Sequence, residues 1–187
     1  MRSAGVFVLV LALATAALAA ADATPHAGPY AGMEKRAIKA LSEAQIADLE
    51  AGRGMGLALA AEFNGYPGPA HVLELGEALH LSAEQRARTE TLFAEMKAEA
   101  IVRGRAALRG EAALDRAFAE HDVDPAALRA QLIELGAAQG ELRNTHLKYH
   151  LAMLDLLAAD QIADYRRLRG YGEAPPPAGG DHIGHHH

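Results

Sequence analysis

His146 and His150, in the run His146-Leu-Lys-Tyr-His150, are the residues of this chain best spaced to do chemistry. Side chains four apart on a helix share one face, so both imidazoles can reach a single Zn²⁺, Ni²⁺, Co²⁺ or Cu²⁺ ion. Met153, three residues further on, offers a soft sulfur. A tetrahedral site wants about four donors, and the remainder must come from across the fold or from the short segment that holds His71, Glu74 and Glu77. The competing reading makes His146 a core residue with a hydrogen-bond partner and leaves His150 merely exposed. His80 and His121 stand at expected helix ends, where structural or solvent-facing roles suit them better. Four more histidines, His182 and His185 to His187, close the sequence and read as a native, low-affinity metal collector.

Other chemistry is poorly supplied. There is no cysteine, no Gly-rich phosphate loop and no HExxH pattern, because Leu147 stands where a metalloprotease has its general-base Glu. Glu95 and Glu99 share a helix face, a spacing typical of solvated or salt-bridged surfaces. The expectation is a binding protein, not an enzyme, with no organic cofactor. Met55, Met96, Phe63 and Phe93, with Arg103, Arg105 and Arg109 nearby, are either core or the lining of a cradle for apolar clients.

These residues must be positioned by helices. Leu128, Leu132, Leu135, Gln139, Leu142, His146, Tyr149, Met153 and Leu156 recur at steps of three and four, which marks one buried stripe along a helix from Pro125 to Leu156. Asp124 is its expected N-cap and Pro125 suits the first helical position. A second long helix, Ser82 to Glu120, precedes the His121 to Pro125 turn. The short connection predicts an antiparallel hairpin. Gly104 and Gly110 lower helix propensity by about 1 kcal/mol each and make a bend plausible. Shorter helices are expected over Ser42 to Phe63, Ala70 to His80 and Ala159 to Arg169, with the Asn64 to Pro69 run (NGYPGP) as the sharpest break. No period-two run suggests a strand, so the fold class expected is all-α.

Three segments share one form, Leu41 to Gln45 (LSEAQ), Leu81 to Gln85 (LSAEQ) and Leu157 to Gln161 (LAADQ). Ser at N-cap with Gln at N3 makes a capping box, and the third copy, with Ala158 in the hydroxyl position, lacks the cap and is expected to begin a looser or kinked helix. The pair of copies 76 residues apart, flanking a helical hairpin, resembles the LTxxQ-motif family of periplasmic proteins (Spy, CpxP, ZraP and CnrX types). The resemblance covers roughly residues 70 to 170; the segment from Tyr30 to Gly68 does not map onto it. It implies a hooked hairpin of four helices, a homodimer, and a range of roles: heavy-metal resistance or sensing, envelope-stress signalling through a membrane-bound partner, or ATP-independent holding of unfolded protein clients. His71 and Met153 stand broadly where CnrX-like members place ligands, whereas His150 is one residue out of register.

The amino terminus has the layout of a secretory signal, with Arg2, an apolar run from Val6 to Leu18 and small residues after it. That run falls short of the roughly 20 residues that span a bilayer. Of two small-x-small sites, the one ending at Ala23 is preferred, giving a 1–23 signal peptide and export to the periplasm. A flexible arm (24–37), a helical domain (38–170) and a disordered Pro/Gly/His tail (171–187) are expected to follow. The net charge of −6, with scattered Lys and Arg, argues against nucleic acid and suits cationic partners. Without cysteine, the exported domain must rely on its core or on oligomerisation.

Overall fold

A computed structural model describes residues 28–171. The expected signal peptide and nearly all of the histidine tail lie outside the described residues. Within them the chain is all-helical: a 3-10 turn at Met33–Lys35, then α1 (Glu43–Glu50), α2 (Leu59–Glu62), α3 (Pro69–Glu74), α4 (Ala83–Ala119), α5 (Pro125–Leu156) and α6 (Ala159–Leu168). No strand occurs among the described residues, and no helix there is long and apolar enough to cross a membrane.

The helix starts follow their caps. Ser42 and Ser82 each accept from the N3 amide, while the Gln45 and Gln85 side chains accept from the N-cap amides. Ala158 offers no side-chain acceptor, yet Gln161 Oε1 still accepts from the Ala158 amide at 2.9 Å, so half of the box survives. Asp124 caps α5 through the amides of Ala126 and Ala127. His80 (φ 50) and His121 (φ 57) take left-handed backbone conformations where the chain leaves helical turns, a structural role consistent with their positions.

The motif repeats do more than start helices. Gln85 Nε2 donates to Gln161 Oε1 (2.8 Å) and Gln161 Nε2 donates to Gln85 Oε1 (3.0 Å). The same two amides donate onward to the carbonyls of Leu156 and Leu79. The start of α4, the end of α5 and the start of α6 are thereby tied by a knot in which each amide both donates and accepts, as partly buried polar groups require.

The first expected helix, Ser42 to Phe63, is instead two. It stops at Glu50 because Gly52-Arg-Gly-Met-Gly56 follows, with Gly52 (φ 67), Met55 (φ 46) and Gly56 (φ 77) all in positive-φ conformations that end a helix. Likewise α3 ends at Glu74, and the chain reaches His80 through turns. By contrast α4 runs unbroken through Gly104 and Gly110. Gly104 is there for proximity: α1 packs on α4, and a Cβ at 104 would collide with the Leu49 carbonyl.

Along α5 the stripe is buried at Leu135, Leu142, His146, Tyr149 and Met153, whereas Leu132 and Gln139 are exposed. The stripe thus tightens toward the C-terminal half, where α3 and α6 add cover. Val72, Leu79, Leu92, Met96, Tyr149, Met153, Leu157 and Tyr165 form the main core there. A smaller cluster, Leu49, Ala100 and Leu142, seals α1 onto α4 and α5. Cross-pairs such as Gln139–Glu111 and Thr145–Glu99 join α5 to progressively earlier positions of α4.

Candidate functional site

The main core stops short of an opening between the Ala51–Leu59 loop, α3 and the paired long helices. A cavity of about 630 Å³ lies there, and His71, His146, His150, Glu62, Met55 and Met96 are among its walls. Each arrives by a different local device. The α5 helix presents His146 and His150 one turn apart on its buried face. The α2 turn carries Glu62 inward. Pro69, at the first position of α3, sets the helix that carries His71.

Glu62 is 5 % exposed and is the hub. Its Oε1 accepts from the Tyr165 hydroxyl, from Tyr171 at 2.9 Å, from Arg169 Nε at 3.3 Å, and lies 3.2 Å from His71 Nδ1. Burial alone would raise its pKa, but the hydrogen bonds from His71, Tyr165 and Tyr171 outweigh it and lower the value to about 2. Burial, with the carboxylate beside it, pushes the Tyr165 phenol up. The carboxylate is therefore charged across the physiological range, while its second oxygen, Oε2, is buried without a hydrogen-bond partner among the described residues.

His150 is oriented by its backbone contact. Nδ1–H donates to the Tyr66 carbonyl at 2.7 Å, which leaves Nε2 with its lone pair, the tautomer a metal ligand needs. Gly68 in the NGYPGP run permits this, since a Cβ there would lie 2.9 Å from His150 Cε1. His146 is 3 % exposed, and its Nε2 is buried with no hydrogen-bond partner among the described residues. Burial first, and the neighbouring His150 second, lower its pKa, so the ring is neutral near pH 7.

Of the four residues singled out from spacing, three line one cavity and one does not. His71 lies behind Glu62, with Nδ1 toward the carboxylate and Nε2 3.5 Å from Arg169, so it helps to hold Glu62. Met153 is fully buried among Val72, Tyr149, Leu157 and Tyr165 and is absent from the cavity wall, where Met55 and Met96 provide sulfur instead. Glu62, Tyr165, Arg169 and Tyr171 carried no sequence signal, because the carboxylate's phenol and guanidinium partners stand more than 100 residues away. His146 is buried, as the reading of it as a core residue has it, and no hydrogen-bond partner of its Nε2 lies among the described residues.

The groups of the cavity wall chemically able to ligate an ion are thus the His146 and His150 imidazoles and the Glu62 carboxylate, with His150 Nδ1 3.9 Å from Glu62 Oε2. Among the described residues His146 Nε2 and Glu62 Oε2 are buried without a hydrogen-bond partner, and imidazole with carboxylate is a set that suits Zn²⁺, Ni²⁺, Co²⁺ and Cu²⁺. Among the described residues no three His, Asp or Glu side chains already converge as a metal cage. Comparison with protein-family models, with curated proteins and with solved structures finds no match for this chain.

Proposed function

We propose that this chain is a periplasmic metal-binding protein of heavy-metal resistance, sensing or envelope stress, similar to the Spy/CpxP and CnrX types, which binds a divalent transition ion and performs no catalysis. The observation that carries the reading is the pair of buried atoms, His146 Nε2 and Glu62 Oε2, that have no hydrogen-bond partner among the described residues and belong to side chains lining one cavity with His150. A buried polar group without a partner costs about 1–3 kcal/mol, and a ligand that satisfies it removes that cost. When bound, the ion supplies positive charge that fixes the three donors together. His146 and His150 would hold it from α5 and Glu62 from α2, with His71, Tyr165 and Tyr171 keeping the carboxylate oriented and ionised.

In this reading the molecule is a hooked antiparallel hairpin that works as a homodimer, is exported with cleavage of residues 1–23, and is read by a membrane-bound partner. Ion binding ties α2 to α5 and so biases the loop and helices that cover the cavity. Calorimetric titration with Zn²⁺ or Ni²⁺, using a chain whose tail histidines are replaced by alanine, should show one equivalent bound per chain and a raised melting temperature. Absence of saturable binding in that chain overturns the reading.

A second reading, an ATP-independent holdase, is favoured by apolar side chains left in solvent on the long helices, Val102 at 62 % and Ile133 at 63 % exposed among them. It predicts that metal-free protein at near-stoichiometric ratio suppresses client aggregation followed by light scattering. Unaltered aggregation removes it.

A further inference from the structure

Met55 and Met96 enter the cavity wall from two sides. Met96 belongs to α4 and to the main core, and it also lines the cavity with His146 and His150. Its level follows from the cross-pairs. Gln139 meets Glu111, and further along α5 Thr145 Oγ1 donates to Glu99 at 3.2 Å while Lys148 Nζ lies 2.6 Å from the same carboxylate. Pairing thus runs backward along α4 as α5 advances. One turn before Glu99 is Met96, and one turn beyond the Thr145–Lys148 stretch is the turn of His150, so the two stand level.

Met55 arrives from the Ala51–Leu59 loop. A Cβ at the preceding residue, Gly54, would lie 3.9 Å from His146 Nδ1, so the loop backbone passes against that imidazole. Met55 itself is 40 % exposed and lines the same cavity. Two imidazoles and two thioethers therefore share one enclosure, and Leu59 and Phe93 add apolar wall that keeps water from it.

The chemistry of those four groups differs from that of Glu62. Thioether sulfur is a soft donor that selects Cu⁺ over the harder divalent ions, and in a chain without cysteine it is the sulfur on offer. Imidazole and thioether bind a metal without carrying charge themselves. A monocation among four neutral donors needs less countercharge than a dication, and part of the charge of Glu62 is already answered by Arg169 Nε at 3.3 Å.

Building on the metal-binding reading above, we propose that Met55 and Met96 complete a four-donor set with His146 and His150, and that Cu⁺ is an ion this cavity binds. The thioethers serve the soft ion alone. Zn²⁺ and Ni²⁺ engage the imidazoles and Glu62 without them.

The test is anaerobic titration with Cu⁺ in competition with a chromophoric Cu⁺ chelator, with Ag⁺ as a redox-inert counterpart and Zn²⁺ alongside. The chain is the one whose tail histidines are replaced by alanine. It is compared with Met55→Leu, Met96→Leu, the two together, and His146→Leu. Leucine is close to methionine in volume and likewise unbranched at Cβ, so the backbone at residue 55 (φ 46) keeps its conformation. The double variant should bind Cu⁺ and Ag⁺ about tenfold or more weakly, since loss of a mere outer partner already costs that much, with its Zn²⁺ affinity unchanged. Copper X-ray absorption should show sulfur scatterers in the parent and none in the double variant. A double variant with the parent's Cu⁺ affinity, or one that loses Cu⁺ and Zn²⁺ affinity equally, overturns this inference and leaves the cavity reading standing. His146→Leu binding both ions as tightly as the parent overturns both. Far-UV circular dichroism checks the fold of each variant, and Met55→Leu, at an exposed position, carries the comparison by itself where the change at Met96 disturbs the core.

Discussion

Glu62→Ala is expected to lower stability by about 3–5 kcal/mol, the cost of breaking a buried charged cluster by removing one member. The change leaves the Tyr165 hydroxyl, more than nine-tenths buried with its ring, without its acceptor, and also deprives Tyr171, Arg169 and His71. Three helical segments, α2, α3 and α6, lose the group that joins them. In a domain of this size the melting temperature should fall by roughly 10 °C.

Glu62→Gln isolates the charge from the shape. A carboxyl whose pKa is near 2 in the fold, against 4.5 without the fold, binds its proton later than the unfolded chain does. Its contribution is fully present above pH about 4.5 and is lost as pH falls from there through about 2. Urea midpoints of the metal-free parent should therefore drop across that window, and those of Glu62→Gln should drop less. Equal midpoints for parent and Glu62→Ala at pH 7 would show that the cluster contributes nothing.

His146→Leu carries the second large effect, with opposite signs in two measurements. Leucine fills a similar volume without an orphan nitrogen, so metal-free stability should rise by about 1 kcal/mol. Metal affinity should fall by at least about 100-fold, since loss of a mere outer partner already costs about 10–100-fold. A histidine present only to pack or to hydrogen-bond would give the reverse, lower stability and unchanged affinity. The parent's pH dependence follows from the same atom: His146 has its folded pKa held below 6.5 by burial. The unfolded chain takes the proton first as pH falls through 6.5, and stability declines from there toward the folded pKa. His146→Leu removes that decline, which equilibrium unfolding between pH 7 and 5 would reveal.

The division between what was legible along the chain and what was not follows the range of the forces. Helix starts at Ser42, Ser82 and Asp124 came from groups three residues apart, so their caps could be read directly. The helix from Pro125 to Leu156 was equally legible, because periodicity and one proline mark it locally. The break after Glu50 is also local in origin: three glycines in five residues outweigh the flanking alanines and leucines.

The site is a different matter. The spacing of His146 and His150 places both rings on one helical face, and the sequence alone carries the inference that far. Whether that face meets donors or core depends on where α2 and α3 cross α5. The fold seats Met153 in the core, turns His71 toward Glu62, and brings Glu62 to Tyr165 and Tyr171 from the far end of the chain. Nothing local forecasts such a cluster, because its energy is that of desolvated charge and hydrogen bonds among segments that touch only after packing. Gln85 and Gln161 show both levels in one residue type: each closes a cap within three residues, as the motif implies, and their amides then meet across 76 residues, which only the tertiary structure could decide.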